Sequence, residues 1–435
     1  MKGGSYFPGT AFSSLFAMAG DDCSLHFDLD DLSDKQQADH LSNIELTAML
    51  QVALACIGHD NDHLALYDEN LKPEWQETLK TYHVFFRQMV AATVPMEHFS
   101  YHPKFDYYES VAKLAAENPN LTDVINLYMV SGSNAGLHRD EKLLNVSRNV
   151  NSKVHFAENA PGYGIPTPDT LVCTKAELTG DGVKDFFARH DNQVMLKLLG
   201  LAGARNVTAV TSIAESLAYV VEYDDDMIII LQEQLSLDRF TEMTVDLFVS
   251  DTEIRIANIR KILFAEGLWV GNLIGEGVGL TAEQESILLK VGEYARSHGY
   301  TSAEGSNCGI DYFLKDDGSV IVTEINARWT GGLFPAEILE QVETNGRDAV
   351  AFFDLVSIEK RAAYLEFLER YLVGSFEGEF AMIPIGFGCF EIDMEGTPFF
   401  YTWQIVLGDL EVFKATKSAE LGGGAMPTAD LIRLD

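Results

Sequence analysis

Four residues in the C-terminal part of the chain have the types and spacing for phosphoryl chemistry. Asp311 lies in GIDYFL, a predicted strand; the turn Lys315–Gly318 leads into a second strand, SVIVTEINAR, which carries Glu324, Asn326 and Arg328. Side chains two apart on a strand share a face, so Glu324 and Asn326 project together, and hairpin pairing brings Asp311 alongside. Two carboxylates and an amide oxygen make a hard donor set of the kind Mg2+ takes, with water and substrate phosphates completing the shell. Asp311, Glu324 and Asn326 are therefore the expected metal ligands, and the set implies a nucleotide. Arg328 can lie on the same face and meet charge developing on a transferring phosphoryl group. The bend Thr330-Gly331-Gly332 lets backbone approach a ligand closely.

Upstream cations could serve the phosphates. Val194–Lys197 reads as an apolar strand ending in a lysine, followed by Gly200, Gly203 and Arg205 in LLGLAGARNV. The lysine supplies a point charge and the loop's N–H groups can cradle phosphate oxygens. Lys153, in NSKVHFAENAPGYGIPTP, is alone on a short helix and gains weight only from its neighbours. Met227–Leu235 (MIIILQEQL) is an apolar strand that turns polar, where backbone groups can meet an adenine and Gln232 or Glu233 can reach its amine or the ribose. Leu235 ends that hinge, and Glu242 follows as a further acid.

In this order the pieces resemble the ATP-grasp superfamily, over roughly Asn151 to Val342. The match runs through Lys153 and Gly164–Pro168, then Lys197–Arg205, then the hinge Gln232–Leu235 with Glu242, and last Asp311 with E-I-N-A-R. The resemblance implies ATP held between two α+β subdomains with the glycine loop as a lid. It implies Lys153 and Lys197 on the phosphates, one or two Mg2+ (or Mn2+) on Asp311, Glu324 and Asn326, and Lys197 and Arg328 as catalytic cations. The implied reaction activates a carboxylate as an acylphosphate, which an amine then captures. The arginine in E-I-N-A-R-x-T-G-G is similar to amino-acid and peptide ligases rather than to D-alanine ligases. Gln232 stands where the family commonly has Glu, and Leu201, Ala202 and Ala204 interrupt the glycine loop. That interruption, with the lack of a biotinyl M-K-M segment, argues against the biotin-carboxylase reading. Bicarbonate-dependent carboxylation, other phosphoryl transfer and a nucleotide-binding module without turnover are the alternatives.

The elements that must position these residues read as an α/β (α+β) protein of three regions. Residues 1–150 are mixed α/β, with helices over Leu41–Ile57 and Trp75–Val90 and a strand at Val124–Val130 running into SGSNAG. The region resembles the pre-ATP-grasp domain of pheganomycin-type peptide ligases. Residues 151–345 form the nucleotide domain, in which short strands alternate with helices. Residues 346–435 extend it, with one or two helices in Ala349–Leu372 and a glycine-rich, β-like tail that completes the site. Ile262–Leu280 reads as a loop able to shape a substrate pocket or to pack as a connector. Arg255, Arg260 and Lys261 are cations that could hold a substrate carboxylate or lie on the surface.

Composition narrows the partners. The net charge is −35, from 31 Lys and Arg against 66 Asp and Glu, and a surface of that sign repels nucleic acid. No apolar run approaches bilayer length. The five cysteines form no CxxC pair, which points to a reducing cytoplasm. The resemblance implies a small carboxylate and an amine as partners, with a homodimer common in the family.

Overall fold

The computed structural model describes residues 13–18, 32–103, 106–118, 120–125, 141–199, 207–236, 239–265, 268–275, 278–303, 305–375, 377–388, 392–394, 397–422 and 432. Its first part alternates strand and helix. β1 (Ser13–Ala17), β2 (His63–Tyr67), β3 (Phe99–His102) and β4 (Leu121–Ile125) form a parallel sheet in the order β3-β2-β1-β4. α1 (Asp34–Ile57), α2 (Pro73–Met89) and α3 (Tyr107–Glu117) make the crossovers. Because helices cover both faces, β1 and β2 are continuously buried after their first residue rather than alternating. α1 begins before Leu41 because Ser33 and Gln36 form a capping box ahead of the visible apolar periodicity.

Two helices, α4 (Glu141–Asn151) and α5 (Lys153–Asn159), lead to a small antiparallel sheet. It contains β5 (Thr170–Thr174), β6 (Val194–Leu198), β7 (Val207–Val210) and β8 (Ile228–Glu233), ordered β5-β8-β6-β7. α6 (Asp181–Arg189) and α7 (Ile213–Tyr219) belong to the same unit. Phe186, Phe187, Leu196 and Leu231 give this sheet a core of its own.

The largest sheet has nine strands. β9 (Phe240–Val249), β10 (Ile254–Ala265), β11 (Leu268–Ile274), β12 (Ser306–Lys315), β13 (Val320–Asn326), β14 (Ala349–Ser357), β15 (Phe380–Phe387) and β17 (Thr397–Gly408) run in the order β13-β12-β9-β10-β11-β14-β17-β15, and β16 (Ile392–Met394) pairs with β17. The sheet therefore crosses residue 345 without a break. α8 (Ala282–Ser297) packs Leu288, Val291 and Tyr294 against Val245, Leu247, Ile310 and Tyr312, and α9 (Leu333–Leu339) follows β13. At the other end a single core joins α1 and α2 to β14, β15 and β17. Among the described residues no helix is long and apolar enough to cross a membrane.

Three expectations are corrected. Ala349–Leu372 is not wholly helical: β14 occupies its first part and α10 (Arg361–Arg370) its second. AVAFFDLV is buried on both faces inside the sheet, so it lacks the period-two pattern that would mark it as a strand. Ile262–Leu280 is largely the antiparallel ladder of β10 and β11, not a loop. The tail also ends in a helix, α11 (Leu410–Leu421), which Asp409 caps by accepting from the N–H groups of Glu411 and Val412.

The contact of α1 with β15 is tight, since a Cβ on Gly386 would stand 2.1 Å from the Met49 carbonyl oxygen. Gly386→Ala should therefore cost about 1–3 kcal/mol through overpacking against rigid backbone. Thermal denaturation checks this, and an unchanged Tm would show that the two elements can separate freely.

Candidate active site

The site is one face of β9, β12 and β13. Along β9, Met243, Val245, Leu247 and Val249 enter the core beneath α8, so Glu242, Thr244 and Asp246 point the other way. Along β12, Cys308, Ile310 and Tyr312 are core, leaving Asn307, Gly309 and Asp311 on the opposite face. β13 follows the same rule only through an irregularity. Asp311 pairs with Glu324 but Tyr312 pairs with Val322, so Thr323 is an extra residue. Val320 and Val322 are core before it, and Ile325 after it. The bulge thus turns Glu324 and Asn326 onto the face of Asp311, which strict alternation from Val322 would have denied them.

Asp311 and Glu324 stand directly opposite each other across the ladder, with Thr244 opposite Asp311 on its other side. Asn326 Nδ2 donates to Asp311 Oδ2 at 2.9 Å, and the Arg328 guanidinium donates to Asn326 Oδ1. Arg328 is buried and also reaches Asn151 Oδ1 at 3.5 Å. Burial, together with the charge of Glu324, pushes the Asp311 carboxyl up to about 6. Burial and then Asp311 raise Glu242 to about 8.

Cations approach from two elements. Lys153 opens α5, whose N-cap Ser152 accepts from His155 N–H, and its Nζ lies 3.1 Å from Glu324 Oε2. Pro166 O accepts from Val322 N–H at 2.8 Å, which ties the Gly164–Pro168 segment to β13. Lys197 comes from β6 of the small sheet, on the face opposite Leu196 and Leu198. Burial holds its ammonium below the usual lysine range, opposed first by the charge of Glu324, with Lys153 adding to the depression and Glu242 and Asp311 also opposing it. The two sheets therefore face each other, with Lys197 of one within electrostatic reach of the carboxylates of the other.

The expected hinge residues lie on the small sheet and just beyond it. The Gln232 amide donates to Thr170 Oγ1 at 3.0 Å, so this side chain is already engaged. Glu233 lies beside His190, with Oε2 3.8 Å from Nδ1, and Leu235 follows the end of β8. Gly200, Gly203 and Arg205 lie outside the described residues, as does SGSNAG. Arg260 is no surface charge: it is buried and pairs with Asp246 at 2.6 Å. Arg255 instead pairs with Glu253 at 3.5 Å and covers the Phe248 ring.

The donor set fits a divalent cation. Asp311, Glu324 and Glu242 lie close together, and the raised carboxyls of Asp311 and Glu242 register burial first and mutual repulsion second. Among the described residues no three His, Cys, Asp or Glu side chains are placed to hold a metal ion by themselves, so water, the Asn326 amide or phosphate would have to complete the shell. Mg2+ is suited by such an open arrangement, because it keeps waters and phosphate oxygens as ligands. Asp311 and Glu324 would hold it, and Asn326 would join by releasing Arg328 from its amide oxygen.

Sequence reasoning missed Asp246, Thr244 and Asn307. The signal was present: in TEMTVDLF the polar residues fall at every second position from Glu242. Close packing here also explains Gly309, where a Cβ would stand 2.2 Å from Thr330 Cγ2 and 3.1 Å from Asp246 Oδ1. Gly309→Ala should lower stability by about 1–3 kcal/mol, read as a lower urea midpoint; an unshifted midpoint would mean that the Thr330 turn yields without cost.

No family model and no curated protein matches the sequence. Solved structures do match the fold. The carboxyaminoimidazole ribonucleotide synthase of Aspergillus clavatus, complexed with ATP, is similar over 97% of this chain and 99% of its own, with TM-score 0.55 and 11% identity. The N5-carboxyaminoimidazole synthetase of Staphylococcus aureus, complexed with ADP, is similar over 94% and 97%, with TM-score 0.54 and 10% identity. The phosphoribosylamine–glycine ligase of Thermotoga maritima is similar over 97% of each chain, with TM-score 0.52 and 14% identity. The chain thus has the mixed α/β ATP-grasp fold of these structures along nearly its whole length.

Proposed function

We propose that this chain is an ATP-dependent enzyme that joins a carboxylate to an amine, acting on amino acids or a small peptide. The observation that carries the reading is the meeting of Lys197, from the small sheet, with Glu242, Asp311 and Glu324 on the large one. A cleft with cations on one wall and carboxylates on the other suits a nucleotide triphosphate and its metal.

In this reading Lys153 and Lys197 bind the phosphates, and Gln232 to Leu235 lie along the adenine. Glu242 adjoins the ribose or the metal. Asp311 and Glu324, assisted by Asn326, would hold Mg2+, which would supply charge neutralisation on the phosphate oxygens. The substrate carboxylate attacks the γ-phosphorus and ADP leaves. The amine nitrogen then attacks the acyl carbon, and inorganic phosphate departs with the bonding pair. Arg328 lies beside Asn326, where it can steady the acylphosphate and the tetrahedral species that follows. Residues 151–345 carry the nucleotide side. The parallel sheet supplies the substrate side, because its strand order reverses between β1 and β4, where open α/β sheets bind ligands. The strands after residue 346 complete that side.

Bicarbonate is the second acid to consider, since two of the similar structures are named for a carboxyamino product. The test is ADP release with Mg·ATP, supplied with pooled amino acids and small carboxylates, with and without bicarbonate. Release requiring both an acid and an amine is expected. Release with bicarbonate alone as the acid would move the assignment to a carboxylase, and no release from any pool would overturn the ligase reading. Glu324→Ala should reduce turnover by more than about a hundredfold, beyond the usual loss from an outer-shell partner. Lys197→Met should raise the ATP KM steeply, and an unchanged KM would remove Lys197 from the phosphates.

A further inference from the structure

A buried ion pair lies beneath the site, and the reaction outlined above gives it no part. Asp246 and Arg260 are 0% and 1% exposed, with Arg260 Nη1 2.6 Å from Asp246 Oδ2. Neither can touch a substrate. Burying two charges is costly, and such a pair is weak evidence of a stability role, because apolar replacements of similar volume are often as stable or more so. Its connections, apart from the one to Asn258, lead toward the proposed metal ligands.

Asp246 accepts from Asn307 Nδ2 at 2.8 Å and from Thr330 Oγ1 at 3.2 Å. Asn307 Nδ2 also donates to the Arg328 carbonyl oxygen at 2.8 Å. Arg260 Nη2 donates to Thr330 Oγ1 at 3.4 Å, and the same guanidinium donates to Asn258 Oδ1. The pair thus grips the E-I-N-A-R-W-T turn at two points, the Arg328 carbonyl through Asn307 and the Thr330 hydroxyl directly. Within that turn the Arg328 guanidinium holds the Asn326 amide, and the amide holds Asp311. Two glycines permit the fit: a Cβ on Gly332 would stand 2.6 Å from Arg260 Nε, and one on Gly309 would strike Thr330.

We infer that the Asp246–Arg260 pair is a positioning device for the divalent cation: through Asn307 and Thr330 it fixes the turn that aims Asn326 at the metal shared with Asp311 and Glu324. The inference rests on the proposed metal site. Two side chains held in one geometry by opposite charges resist the rotation that an apolar pair would allow. Outer-shell partners of this kind typically contribute ten- to a hundredfold to metal affinity.

The test is a Mg2+ titration of ADP binding to the full chain, read by calorimetry, for the wild type and Asp246→Leu/Arg260→Met. The double variant removes both charges together and so leaves no unpaired buried ion. Its Tm without ligand should stay near that of the wild type, and its affinity for ADP without Mg2+ should be unchanged. The Mg2+ concentration for half-maximal enhancement should rise about tenfold or more. Thr330→Val, which removes one hydroxyl at nearly constant volume, should shift it in the same direction and serves if the double variant does not fold. A Mg2+ midpoint equal to wild type in the folded variant would overturn the inference while leaving the metal site intact. Wild-type binding of ADP that ignores Mg2+ would overturn both.

Discussion

The structure turns on like charges held together away from water. Asp311, Glu324 and Glu242 share one face of a sheet whose other face is a hydrocarbon core. Carboxylates so placed repel one another and lose hydration, which the raised carboxyls of Asp311 and Glu242 express. Such a cluster persists only where cations answer it. Lys153, Lys197 and Arg328 do so from a helix, a second sheet and a turn. The architecture can be understood as the scaffold that brings these three supports to one place.

Each support has a local cause. Lys153 is placed by a helix whose start Ser152 fixes, and by the segment that Pro166 ties to β13. Lys197 is placed by the alternation of β6, which sends Leu196 and Leu198 into a separate small core. That separate core lets the lysine-bearing unit hold its own shape while Lys197 comes within electrostatic reach of the large sheet's carboxylates. The overall excess of acid makes these few cations the more consequential, because a molecule of net charge −35 offers a triphosphate no general attraction.

Much of this was legible in the sequence, and the misses have physical reasons. Asp311, Glu324, Asn326 and Arg328 were visible because one hairpin carries all four. The direction in which Glu324 points was inferred from simple alternation, yet it depends on the extra residue Thr323, and a bulge leaves no compositional mark. Asp246 was passed over because one acid in an apolar strand reads as incidental until its partner Arg260 is seen across the ladder. β14 was taken for helix because a strand buried on both faces has no polar side to reveal its period. The helix over Leu41–Ile57 and the strands at Val194–Lys197 and Met227–Leu235 were recovered from their apolar residues, whereas β7 was not singled out.

The docking of α1 against β15 has a consequence for how the chain is made. The apolar residues of α1 from Met49 to Ile57 are covered by Phe380, Ile383, Ile385 and Trp403, which lie more than three hundred positions later. A ribosome adding about 5–20 residues per second leaves that helix without its final cover for tens of seconds. During that interval its exposed surface is open to wrong partners, including the same helix on a neighbouring nascent chain. Folding yield in the cell should therefore depend on how quickly the last part of the message is translated, even though the chemistry lies elsewhere.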